Sequence, residues 1–79
     1  MKEFFVTLRS VGDVKDFVAL ASVQPFEVTV GYDRQRVNGK SFMQMFCLDL
    51  SVPQQVLVDC TDEEFCGFYD AAERFRTKY

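Results

Sequence analysis

The chain has 79 residues, of which 48% are hydrophobic and 27% are charged, a composition typical of one globular domain rather than of a disordered segment. Nine basic and twelve acidic residues give a formal net charge of −3, so we expect no general binding to nucleic acids. No apolar stretch approaches the roughly 18 residues of a membrane span, and the N-terminus does not resemble an export signal. We therefore expect a cytoplasmic protein that does not enter a membrane.

The sequence contains no histidine and three cysteines. Without an imidazole the chain cannot build a Ser–His or Cys–His nucleophile, and a zinc site on the cysteines would lack its fourth ligand. We therefore expect no enzymatic activity, no bound metal and no cofactor. Cys47, Cys60 and Cys66 show no Cys-x-x-Cys spacing, and we predict three reduced thiols that are mostly buried as small hydrophobic side chains.

The first part of the chain predicts a strand, a helix and a second strand. Residues 3–8 alternate between apolar and other side chains in the manner of a strand. Residues 14–23 repeat apolar side chains at helical spacing, and Asp13 stands where an N-cap is expected. Pro25 ends this helix, because the residue before a proline avoids helical backbone angles. The alternating segment 26–30 then predicts the second strand.

The middle of the chain predicts two further strands around a short helix. A polar turn leads into residues 36–37, which we interpret as the third strand. Residues 42–48 are apolar almost throughout, and Ser41 can cap a short helix at their start. Residues 56–60 alternate again and predict the fourth strand.

The last helix carries its own start signal. Thr61 and Glu64 have the spacing of a capping box, in which two side chains and two backbone N–H groups are satisfied reciprocally. The apolar face that we expect to be buried is marked by Phe65, Phe68, Ala72 and Phe75. The predicted order is thus β-α-β-β-α-β-α in a single domain over residues 1–79, an α+β sandwich with its helices on one face of a sheet.

Residues 37–41 read Val-Asn-Gly-Lys-Ser and precede the apolar segment 42–48. They resemble the Val-Asn-x-Lys-Ser segment of HPr, the small phosphocarrier of the sugar phosphotransferase system. The opening residues 4–7 and the last helix fall in the same register, so the resemblance covers nearly the whole chain. It implies an HPr-like open-faced sandwich, in which a four-stranded antiparallel sheet carries three helices on one face.

The chain departs from the family where the chemistry takes place. The family carries its phosphoryl group on the histidine of a Gly-x-His-Ala-Arg-Pro loop. Aligned from Gly12, the present chain has Asp13 at the histidine position, Lys15 at the arginine position and Asp16 at the proline position. Three interpretations of Asp13 stay open: a helix cap, a phosphoryl acceptor, or a fixed negative charge that partners recognise.

Ser41 keeps the residue type of the family. In many bacteria the matching serine is phosphorylated by a dedicated kinase. Some relatives that have lost the histidine retain this serine and act as corepressors in carbon-catabolite control. The resemblance therefore implies regulatory phosphorylation at Ser41, and the alternative is that Ser41 only caps its helix.

The resemblance also implies that the first and second helices form a surface on which partners dock. Its members would be Lys15, Phe17, Val18, Lys40, Phe42, Met43 and Phe46. The alternative assigns the inward-facing apolar members to the core. We expect at least two of them to be exposed, because one short helix cannot bury every side.

These observations predict a non-catalytic HPr-like protein, which acts as a regulatory or interaction module of the sugar phosphotransferase system or of carbon-catabolite control. The expected partners are a phosphotransferase-system component, a serine kinase or a transcriptional regulator, and the sequence leaves the oligomeric state open. Two alternatives are a phosphocarrier that works through Asp13 and an HPr-fold adaptor with an unrelated binding role.

Overall fold

The computed structural model describes residues 1–77, so the last two residues of the predicted domain lie outside the described part. Its strands are β1 (Lys2–Val6), β2 (Val28–Tyr32), β3 (Gln35–Asn38) and β4 (Gln54–Val58). Its helices are α1 (Val11–Ser22), α2 (Phe42–Met45) and α3 (Asp62–Ala71), and a 3-10 turn follows at Glu73–Phe75. The predicted order β-α-β-β-α-β-α is confirmed.

The strands form one antiparallel sheet in the order β1-β4-β2-β3. One row of side chains crosses the whole sheet: Phe4 lies opposite Val56, Val56 opposite Val30, and Val30 opposite Val37. Because neighbouring residues of a strand point to opposite faces, this apolar row fixes which face the helices cover. The predicted α+β sandwich with a four-stranded antiparallel sheet is confirmed.

The core lies between the sheet and the helices, and Phe68 of α3 stands at its centre. The Phe68 ring lies 5.7 Å from the Phe4 ring, 6.2 Å from the Phe17 ring and 5.7 Å from the Phe26 ring. The pairs with Phe4 and Phe26 are edge to face, an arrangement that is favourable beyond the apolar area that it buries. Sheet, α1 and α3 are thus joined through one aromatic cluster, and α2 adds the fully buried Met45.

The helix starts are set by hydroxyl caps. At α3 the predicted capping box is confirmed, since Glu64 N donates to Thr61 Oγ1 (3.1 Å) and Thr61 N donates to Glu64 Oε1 (3.0 Å). At α1 the prediction of Asp13 as the cap is wrong. Ser10 is the N-cap and accepts from Asp13 N, because an exposed first turn that begins at Val11 precedes the apolar repeat.

The predicted ends of all four strands differ by one or two residues from the observed ones, and two of these differences are informative. The alternation over 3–8 includes Leu8, which is buried but lies beyond the end of β1. Strand β4 begins earlier than the predicted 56–60, because the buried Gln54 belongs to it. Gln54 is polar, and its Nε2 donates to two loop carbonyls at 2.6 and 2.9 Å. An alternating apolar pattern indicates which side chains are buried. The ends of a strand are instead set by its backbone hydrogen bonds, so the two can differ by a few residues.

The final helix is shorter than its apolar face suggested. Helix α3 ends at Ala71, and the 3-10 turn carries Phe75 into the core. Burial of Phe68 and Phe75 is confirmed, while Phe65 is only half-buried beside the core.

The chain beyond the 3-10 turn extends the sheet. Thr7 N donates to Phe75 O (2.7 Å), and Thr77 N donates to Phe5 O (2.8 Å). The hydroxyls of Thr7 and Thr77 are also hydrogen-bonded at 2.7 Å. This segment covers the outer edge of β1, where unpaired backbone groups would otherwise invite pairing with another chain.

The cysteines are free thiols, but they are not mostly buried. Cys47 and Cys66 are exposed and Cys60 is half-buried. Cys66 lies on α3 between the inward-facing Phe65 and Phe68, so the helical repeat points it away from the core. The exposure of Cys66 is therefore decided by its position on the helix and not by the apolar character of its thiol.

Candidate functional site

Ser41 lies at the start of α2, where its hydroxyl accepts a hydrogen bond from Gln44 N at 3.3 Å. The residue is half-buried and has extended backbone angles, as an N-cap requires. The predicted position of Ser41 at a helix start is confirmed. Whether the residue is phosphorylated stays a prediction.

The turn before Ser41 holds α2 against the sheet. Gly39 N donates to Val28 O at 2.7 Å, and a Cβ on Gly39 would lie only 2.8 Å from Val28 Cγ1. Asn38 accepts from Lys40 N through its side chain (2.9 Å), while its own N–H donates to Gln44 Oε1 (2.9 Å). The glycine allows this close approach, and the asparagine closes the turn that presents Ser41.

Helix α2 divides its apolar residues between the core and the surface. Met45 is fully buried and anchors the helix. Phe42, Met43 and Phe46 are 37%, 83% and 44% exposed, and the two phenylalanine rings pack edge to face at 4.7 Å. We call these three residues the α2 patch. The expectation that at least two of the proposed docking side chains are exposed is confirmed.

Helix α1 does not extend the α2 patch. Phe17 and Val18 are buried, with exposed fractions of 0% and 8%. Their predicted place on an exposed docking surface is wrong, because they belong to the inward stripe of α1 together with Val14 and Ala21.

The two lysines of the predicted surface behave differently. Lys15 is exposed on α1. Lys40 is half-buried, and its Nζ donates to Gln24 O at 2.8 Å, just beyond the end of α1. Lys40 therefore ties the α2 turn to α1 and is not a free surface cation.

Asp13 lies in the first turn of α1, and both of its carboxylate oxygens are engaged. Oδ2 accepts from Arg9 N at 3.0 Å, and Oδ1 lies 3.2 Å from Arg74 Nη2. The same Arg74 nitrogen lies 2.9 Å from Asp16 Oδ2. Arg74 thus balances the negative charges of two aspartates. The sequence did not predict this role, because 61 residues separate Arg74 from Asp13.

The resolved pKa shifts lie outside the α2 patch. A hydrogen bond with the Asp62 carboxylate raises the pKa of Lys2 and lowers the pKa of Asp62. Burial raises the pKa of the Cys60 thiol, and hydrogen bonds from Ser51 lower the pKa of Asp49.

Residues 1–77 contain neither a helix that could span a membrane nor a cluster of metal-binding side chains. None of their helices combines the length and apolar character needed to cross a membrane. Within the same residues, no three cysteine, aspartate or glutamate side chains come together in a group able to hold a metal ion.

Comparisons with known proteins bear on the fold. No protein-family model matches the chain, and no curated protein matches it in sequence. Among solved structures, the chain is similar to the crystal structure of HPr-C-His from Thermoanaerobacter tengcongensis, with a TM-score of 0.71. The superposition covers 92% of each chain, and the two sequences are 22% identical. The chain has an HPr-like fold. At this identity the similarity concerns the fold alone.

Proposed function

We propose that this HPr-like chain is a non-catalytic cytoplasmic module of the sugar phosphotransferase system or of carbon-catabolite control, regulated by phosphorylation at Ser41. The observation that carries the proposal is the position of Ser41 directly before the exposed α2 patch. A modifiable hydroxyl and a docking surface are thereby adjacent in the chain.

The α2 patch supplies the affinity for a partner. Met43 is almost fully accessible, and the paired rings of Phe42 and Phe46 hold their exposed edges in a fixed arrangement. Complete burial of one large apolar side chain contributes about 1.5–3 kcal/mol, so covering the three exposed portions favours docking by a few kcal/mol. The partners that fit are a phosphotransferase-system component, a serine kinase or a transcriptional regulator with an apolar pocket.

Phosphorylation would change this surface without unfolding it. A phosphate on Ser41 adds about −1.5 to −2 charges at pH 7 beside Phe42 and Met43. Gln44 N already donates to the Ser41 oxygen and can donate to a phosphate oxygen instead. Lys40 is engaged with Gln24 O, so a phosphate would compete for it with that carbonyl. The expected result is a changed choice of partner.

A phosphocarrier that works through Asp13 is the second candidate, and Arg74 is the observation in its favour. A guanidinium 3.2 Å from Oδ1 would offset the charge of an aspartyl phosphate. Against it, an attacking oxygen of Asp13 would first have to leave either Arg74 or Arg9 N. The present contacts suit a structural carboxylate better than a nucleophile.

The proposal is tested by measuring affinity for purified candidates of the three partner classes, with the protein unmodified and phosphorylated at Ser41. Met43→Glu should weaken binding at least tenfold, because it places a charge in an apolar contact. Val11→Glu is the matched control, because it adds the same charge at an exposed apolar residue (60%) outside the α2 patch. Val11 is the first residue of α1, whereas the turn before α2 contacts Gln24 beyond the last residue of α1.

The outcomes separate the three functions. Binding that requires Met43 and responds to phosphorylation supports the regulatory module. Binding that requires Met43 but ignores phosphorylation identifies a constitutive adaptor. An acid-labile phosphoryl group that disappears in Asp13→Asn would establish the carrier and overturn the proposal.

A further inference from the structure

A basic cleft lies between the end of β1 and the C-terminal segment, and no residue of α2 lines it. Its volume is about 980 Å³, a size typical of small-molecule sites. Three of the five arginines of this acidic chain line it: Arg9, Arg74 and Arg76. Thr7 and Thr77 contribute to the same wall.

Two of the guanidinium groups are held in place by rings and carboxylates. Arg76 lies 4.0 Å above the Tyr69 ring, and its Nη2 is 3.8 Å from Glu73 Oε1. Arg74 lies 4.5 Å from the Phe75 ring centre and is fixed by its two aspartates. Stacked and paired arginines lose little further freedom when they bind a ligand.

Several N–H and O–H groups of the cleft are not used by hydrogen bonds within the protein. Within residues 1–77 the Arg9 guanidinium has no hydrogen-bond or ion-pair partner. The Nε of Arg76 is buried, so this residue would contact a ligand through the exposed part of its guanidinium group. Thr7 and Thr77 share one hydrogen bond, which leaves one hydroxyl proton available. Glu73 is the single carboxylate among the residues that line the cleft in the described part.

We propose that this cleft binds a phosphate monoester dianion, with Arg9 and Arg76 as the principal contacts and a threonine hydroxyl as a further donor. Guanidinium forks match the geometry of phosphate oxygens, and charge-assisted hydrogen bonds are the stronger class. The cleft is independent of Ser41 and the α2 patch, so the proposal stands whether or not the proposed function holds.

The test is a titration of the full chain with inorganic phosphate at constant ionic strength, followed by amide chemical shifts. Saturable shifts should localise to residues 7–9 and 73–77. Arg9→Gln should weaken binding about tenfold, because it removes one charge-assisted hydrogen bond. Arg9 is exposed and its side chain has no partner in the described residues, so this variant should fold.

Arg34→Gln is the matched control, because it removes the same charge from the β2–β3 turn, outside the cleft. Its affinity for phosphate should stay within about twofold of the original chain. Equal weakening by Arg34→Gln and Arg9→Gln, or shifts that rise linearly without saturation, would overturn the proposal.

The source of the phosphate is distinguished by parallel titrations with glucose 6-phosphate and with a phosphoserine peptide. Tighter binding of glucose 6-phosphate than of inorganic phosphate would identify a small metabolite as the natural ligand, and tighter binding of the peptide would identify a modified protein. In either case binding should weaken in Arg9→Gln and should be competed by inorganic phosphate. Failure of all three ligands to bind at the cleft refutes the site.

Discussion

Truncation of Phe68 should remove the centre of the core. Phe68 is 1% exposed, and its ring meets Phe4 of the sheet, Phe17 of α1 and Phe26 of the segment before β2. Phe68→Ala would therefore leave a cavity that three separate elements border. Such cavities collapse poorly, because the surrounding elements are held by their own hydrogen bonds.

The expected cost is about 3–5 kcal/mol, the usual range for a buried phenylalanine. A domain of this length is stable by about 4–12 kcal/mol, so the variant should lie close to unfolding. With a urea slope of roughly 1 kcal/mol per molar, the midpoint should fall by about 3 M or more. Urea unfolding followed by circular dichroism measures this directly.

Phe46→Ala provides the matched control, because it removes the same side chain from the surface. Phe46 is 44% exposed and its ring packs on Phe42 alone among the described rings, so its loss should cost less than about 1.5 kcal/mol. A loss below about 1 kcal/mol for Phe68→Ala, or one no larger than that for Phe46→Ala, would refute the assignment of the core.

Three further predictions concern the turn before α2, the α1 cluster and the start of α3. Gly39→Ala should lower the free energy of unfolding by about 1–3 kcal/mol in thermal melts, because its Cβ would lie 2.8 Å from a β2 side chain. A neutral result would show that α2 can shift away from the sheet. Asp13→Asn should cost less than about 1 kcal/mol in urea melts, because its ion pair with Arg74 is partly exposed and an amide oxygen can still accept from the backbone. A larger loss would indicate that the negative charge itself is required. The pKa of Asp62 is lowered in the folded state, so its contribution is present above pH about 4 and is lost as the pH falls further. Asp62→Asn should therefore flatten the acid limb of stability against pH, and an unchanged limb would contradict the ion pair with Lys2.

Local signals in the sequence predicted the starts of α2 and α3 correctly, but not the start of α1. The capping box of Thr61 and Glu64 and the position of Ser41 each depend on residues three apart, and the structure places both as expected. The period-2 segments identified β1, β2 and β4, although not their ends, whereas β3 was predicted from two residues that follow a polar turn. Gln54 is the clearest example, because a polar side chain can enter a core when nearby carbonyls accept its N–H groups.

The rest depended on contacts between distant parts of the chain. The pairing of Arg74 with Asp13 joins the end of the chain to α1, and no pattern within one segment reports such a contact. Lys40 looked free in the sequence, but the fold brings Gln24 O within 2.8 Å of it. Phe17 is instructive, since its helical spacing already indicated the core, whereas the family resemblance suggested an exposed position.

The proposed function requires that Ser41 is a regulatory phosphorylation site. The most direct measurement is the intact mass of the chain after incubation with an HPr-type serine kinase and ATP, with Ser41→Ala and Ser10→Ala as paired variants. Both variants remove a helix N-cap hydroxyl, so loss of a cap alone affects them alike. We expect one phosphate on the original chain and on Ser10→Ala, and none on Ser41→Ala. An unmodified original chain, or equal modification of Ser41→Ala, would contradict the proposed function.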